Sequence, residues 1–112
     1  MKMLYNFDEF LNEAFQQQAV NNQRSMQNTV EKIADTKQKI ADSMRKMQDL
    51  KDRAQKSTDD ITKAVFQAKI ASVNARRESY VAYIQYLQAM QTFYQVKAKE
   101  IEAAEKNTKK PK

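Results

Sequence analysis

Residues 26–53 read MQNTVEK, IADTKQK, IADSMRK and MQDLKDR, four heptads in succession. Each opens on an apolar residue (Met26, Ile33, Ile40, Met47), and four places further on stand Val30, Lys37, Met44 and Lys51. Apolar residues that alternate at three and four places line one face of a helix, and that face seats against a partner helix as a coiled-coil seam. The expected seam is Met26, Val30, Ile33, Ile40, Met44 and Met47, with Lys37 and Lys51 as polar interruptions. Asp35, Asp42 and Asp49 each stand four places before Lys39, Lys46 and Arg53. In that order an acid–base pair supports a helix by about 0.2–0.5 kcal/mol, so the outer face is a solvated one.

Toward the C-terminus the heptads fade after Leu50 and KSTDDITK follows. Ser57 with Asp60 fits a capping box, and Thr58 and Asp59 are also good helix-start residues, so a new helix is expected from about residue 58. Beyond it a second seam runs through Phe66, Ile70, Val73, Arg77, Tyr80, Ile84, Leu87, Gln91, Tyr94, Ala98 and Ile101. It is out of phase with the first, which favours a reversal of the chain. Antiparallel pairing about residue 58 sets Ile40 near Arg76, Ile33 near Tyr83 and Met26 near Met90. The rival is one unbroken helix, since the turn has no glycine to supply the usual left-handed cap.

Toward the N-terminus, Asn6 and Glu9 suggest another capping box, followed by Phe7, Phe10, Leu11, Ala14 and Phe15 at helical spacing. A short amphipathic helix is expected there, and the Gln- and Asn-rich QQQAVNNQRSMQ after it is the expected bend. The organisation that follows is all-α: an antiparallel helical hairpin, or coiled coil, with a short N-terminal helix. Its expected segments are 7–22, 24–56 and 58–106, with a basic tail at 107–112, all in one domain.

Composition narrows function by exclusion. The chain has no glycine, no cysteine and no histidine, and its one proline is Pro111. Glycine-rich phosphate loops, thiolate sites, disulfides and the usual general base and transition-metal ligands are therefore missing. Among the carboxylates, Asp59 and Asp60 serve as helix caps, and Glu100, Glu102 and Glu105 as solvated partners of lysines. The expectation is a protein that is not an enzyme, holds no cofactor or metal and takes no small-molecule substrate. No export signal is visible, because Asn6, Asp8 and Glu9 break the first apolar run; a cytoplasmic or virion location is expected.

Residues 79–96, SYVAYIQYLQAMQTFYQV, carry no charge. Ala82, Tyr86, Ala89, Phe93 and Val96 fall roughly opposite Tyr80, Ile84, Leu87 and Tyr94 around a helix, so both sides call for cover. The Gln85, Gln88, Thr92 and Gln95 stripe argues against a membrane span. The missing cover comes from the aromatic N-terminal helix or from a second chain. Tyr80, Tyr83, Ile84, Tyr86, Leu87, Met90, Phe93 and Tyr94 are the candidate interface, with a homo-oligomer or another helical protein as the partner. The net charge of +6 keeps nucleic acid as the alternative partner, through Lys106, Lys109, Lys110, Lys112 and the heptad lysines.

The first fourteen residues, MKMLYNFDEFLNEA, resemble the N-terminal targeting peptides of internal head proteins of T-even-type phages. The resemblance rests on Lys2, Tyr5, Glu9, Phe10, Leu11 and Glu13. It implies a phage structural setting and cleavage between Glu13 and Ala14, at a site marked by Leu11 and Glu13. Function is thus expected to be structural, an assembly protein acting by self-association or partner docking.

Overall fold

A computed structural model of the chain describes the backbone of residues 2–109 and the side chains of residues 9–107. It is an all-α antiparallel hairpin of two helices, α1 (Lys2–Lys56) and α2 (Asp60–Lys109). The reversal is real, and the unbroken-helix alternative falls. The Ser57–Asp59 turn has no residue with positive φ. The Ser57 N–H closes α1 on the carbonyls of Arg53 (3.1 Å) and Ala54 (3.3 Å), and the Ser57 hydroxyl donates to the Asp59 carbonyl at 3.4 Å. A helix can end this way, through shared hydrogen bonds in its last turn, without glycine.

Of the helix-start residues expected at the turn, Asp59, rather than Ser57, is the one that caps α2: its Oδ2 accepts the Thr62 hydroxyl at 2.8 Å and the Thr62 N–H at 3.1 Å. The Thr62 hydroxyl first, and then its N–H, hold the Asp59 carboxyl below its usual range.

The N-terminal stretch is helical as expected but is not a separate element. α1 is already helical at Lys2, so Asn6 and Glu9 do not begin it. It is also continuous through residues 16–27, where a bend was expected. Gln is a good helix former, and Gln17 donates to the Asn21 side chain one turn on at 3.1 Å. The expected boundaries 7–22 and 24–56 therefore merge into one helix. Phe7, Asn6, Lys109 and the tail lysines Lys110 and Lys112 lie outside the described side chains.

The chain forms two compact units, residues 32–88 and residues 1–31 with 89–112. In the unit of residues 32–88, which contains the turn, Ile33, Thr36, Ser43 and Leu50 of α1 are buried, and Ile40 and Met47 half-buried; from α2, Val73 and Leu87 are buried. In the other unit the buried residues are Asn22 and Thr29 from α1 and Ile101 from α2, with Met26 and Tyr94 half-buried. There the Asn22 side-chain N–H donates to the Tyr94 carbonyl at 2.9 Å. That bond keeps the register expected from 40 with 76, 33 with 83 and 26 with 90.

The α1 seam corrects the heptad reading at every second place. Met26, Ile33, Ile40 and Met47 face inward as expected, but the intervening seam residues are Thr29, Thr36, Ser43 and Leu50, three places on. Val30 and Met44 stand outside at 48% and 55% exposure, and Lys37 and Lys51 are exposed as well. Thr36, at 4% exposure, shows how a hydroxyl is buried there. Its Oγ1 donates to the Lys32 carbonyl one turn back at 2.7 Å, and Thr29 and Ser43 do the same to Ser25 and Lys39, each at 2.9 Å. A hydroxyl satisfied by its own helix presents mainly its carbon atoms to the partner and carries no unmet hydrogen bond into the seam. In the hairpin register Thr36 and Ser43 fall opposite Tyr80 and Val73, small residues against larger ones. The α2 seam has the expected phase, with Phe66, Ile70, Val73, Arg77, Tyr80, Ile84, Leu87, Gln91, Tyr94 and Ile101 buried or half-buried and Ala98 exposed.

Candidate interaction surfaces

The eight residues expected to form an interface separate into two sets. Leu87 is buried, and Tyr80, Ile84, Met90 and Tyr94 are half-buried along the seam, so these five hold the hairpin together. Tyr83, Tyr86 and Phe93 are turned outward. In the unit of residues 32–88, Tyr83 and Tyr86 stack with ring centres 6.1 Å apart and planes 16° from parallel, and Tyr86 is 57% exposed. In the other unit Phe93 is 52% exposed, meets Tyr94 edge-on at 5.3 Å, and has the Lys97 ammonium 6.0 Å above its ring; Val96 and Val20 are exposed as well. Burying an aromatic side chain gains roughly 1.5–3 kcal/mol, of which these half-exposed rings obtain only part among the described residues.

Phe10 is 64% exposed, and Leu11 and Phe15 are half-buried on α1. Leu11, Glu13 and Ala14, the residues of the implied cleavage site, lie inside α1. A protease that needs extended backbone would act there only after the first turns of α1 open.

The charged surface also departs from the expected pattern. Of the three acid–base pairs, Asp49 and Arg53 form the i,i+4 bridge at 3.2 Å. Asp42 turns instead to Arg45 at 3.7 Å and accepts from Gln38 at 3.1 Å, so that Lys46 has no ion-pair partner among the described residues. Lys39 reaches across to the Tyr80 ring, 5.9 Å from its centre. Heptad counting does not distinguish an acid's partner three places on from one four places on, because both lie on the same face.

Among the described residues no three acidic, histidine or cysteine side chains come together as a metal site. No described helix is long and apolar enough to cross a membrane. In the unit that holds both chain ends a cavity of about 340 Å³ is lined by Ala19, Asn22, Gln23, Met26, Ala98 and Ile101. Asn22 Oδ1, beside it, has no hydrogen-bond partner among the described residues. No known protein family, curated protein or solved structure matches this chain.

Proposed function

We propose that this chain is a non-enzymatic assembly protein, a helical hairpin that self-associates through the outward rings of α2. The observation that carries the reading is the exposure of Tyr83, Tyr86, Phe93 and Val96 within a stretch of eighteen residues that bears no charge. Soluble monomers rarely leave contiguous apolar surface uncovered beyond a few hundred Å². Aromatic residues on an uncharged helical surface are what protein interfaces are enriched in, whereas single-strand binders interleave rings with lysine and arginine. The phage structural setting implied by residues 1–14, and with it a virion location, belongs to this proposal.

Size-exclusion chromatography with light scattering tests it. Wild type is expected to be an oligomer at tens of micromolar, and the double variant Tyr86→Asp, Phe93→Asp a helical monomer. Deletion of residues 1–13 is expected to leave the oligomer intact. A wild-type chain that stays monomeric at that concentration overturns the reading.

A further inference from the structure

Two adjoining grooves lie between α1 and α2 within the unit of residues 32–88. The larger, about 400 Å³, is lined by Lys46, Asp49, Leu50, Arg53, Lys69, Ser72, Val73 and Arg76. The second, about 210 Å³, shares Lys46, Val73 and Arg76 with it and extends to Lys39 and Tyr80. Lys39, Lys46 and Arg53 are seven residues apart on α1, and Lys69 and Arg76 are seven apart on α2. Cations of both helices therefore line this flank of the hairpin, and their mutual repulsion opposes pairing of the two helices. Arg53 has Asp49, but among the described residues Lys46, Lys69 and Arg76 have no carboxylate within ion-pair distance. The groove floor is apolar, formed by the buried Leu50 and Val73.

We propose that this flank is a docking groove for an acidic partner helix, one that carries Glu or Asp at seven-residue spacing. The period decides between anionic partners. Heptad-spaced cations recur about every 10.5 Å along a helix, and so do heptad-spaced acids on a helix laid beside it. A nucleic-acid strand carries a charge about every 3.4 Å. Its phosphates would meet Asp42 and Asp49, which stand between the cations in the same row. A docked helix places its acids at Lys46, Lys69 and Arg76 and a small apolar residue over Leu50 and Val73, completing a three-helix arrangement. The residues used are not the outward rings, so this docking is independent of self-association through Tyr86 and Phe93.

A charge exchange tests it. The probe is a labelled amphipathic helical peptide of about three heptads with Glu flanking its apolar seam, alongside the same peptide with Lys in place of Glu and a single-stranded oligonucleotide. Binding is read by fluorescence anisotropy on the full chain. Wild type is expected to bind the Glu peptide and not the Lys peptide. The double variant Lys46→Glu, Arg76→Glu, whose positions are exposed and whose helicity circular dichroism checks, is expected to bind the Glu peptide at least tenfold more weakly and to gain the Lys peptide. Failure of wild type to bind the Glu peptide, equal binding by wild type and variant, or preference of wild type for the oligonucleotide each overturns the proposal. The tests of the two proposals separate cleanly, since Tyr86→Asp with Phe93→Asp is expected to leave Glu-peptide binding unchanged.

Discussion

Leu87 and Tyr86 are neighbours in sequence with opposite surroundings, 3% and 57% exposed, and truncating each to alanine separates the hairpin seam from the assembly surface. Leu87→Ala removes three buried carbons, at about 0.8 kcal/mol each, and adds a cavity term; buried leucine truncations run from about 2 to 5 kcal/mol. Two helices leave the sides of the seam open, so the cavity can partly close, and the lower half of that range applies. For a chain of 112 residues, stability near 0.1 kcal/mol per residue makes this a loss of roughly a quarter. At about 4 °C per kcal/mol the melting temperature falls by roughly 8–14 °C. Tyr86→Ala removes only the partial burial of a ring that is 57% exposed and stacked on Tyr83, and it replaces tyrosine with a better helix former. In dilute protein its melting temperature is expected to match wild type or exceed it. Oligomers melt at temperatures that rise with concentration, and Tyr86→Ala is expected to flatten that rise while Leu87→Ala keeps it. Circular dichroism melts at concentrations spanning about two decades measure both effects. If Tyr86→Ala in dilute protein costs as much as Leu87→Ala, the ring packs within its own chain and both the seam assignment and the self-association argument fail.

The Asp59 cap titrates: its carboxyl is held below the ordinary 3.8, so the stabilisation is complete above that value and disappears as pH falls through the lower folded one. Melts between pH 2 and 6 are expected to show an acid-side loss in wild type that Asp59→Asn, which caps without titrating, lacks. Cysteines at Ser43 and Val73, which line one groove, are expected to crosslink within a single chain at micromolar concentration; only interchain products would contradict the hairpin. Asn22→Leu removes a buried amide with an unmet acceptor and is expected to raise the melting temperature while loosening register, seen as additional crosslinks in a cysteine scan. A lower melting temperature would show that the bond to the Tyr94 carbonyl outweighs the buried acceptor.

The second helix was legible almost whole, because its seam is made of large apolar and aromatic residues that stand out at three-and-four spacing. In the first helix half the seam escaped. Thr29, Thr36 and Ser43 read as polar, while Val30 and Met44, one place further, offered apolar residues at an equally good heptad position. What decides between these positions is size and self-satisfaction. A threonine that bonds to its own helix is an acceptable neighbour for Tyr80, and a lysine at 37 or 51 is not. The register was readable from the turn alone, and the Asn22 bond to Tyr94 agrees with it. The basic flank was hidden for a different reason: it is assembled from residues on both helices, and Lys46 joins it only because Asp42 turns to Arg45.

The turn also sets the order in which the hairpin forms. Residues 57–59 close a loop of three, so pairing that begins there pays the least chain entropy, and each further pair extends a zipper already started. Leu50 and Val73 come together across a short separation; the Asn22 bond to Tyr94, across 72 positions, forms later. Run in reverse, tension applied to the two chain ends opens the pairs one at a time, beginning with Ile101. The Asn22 bond then yields before the pairs nearer the turn are loaded. A protein built this way gives under pull by degrees and re-closes from its intact turn.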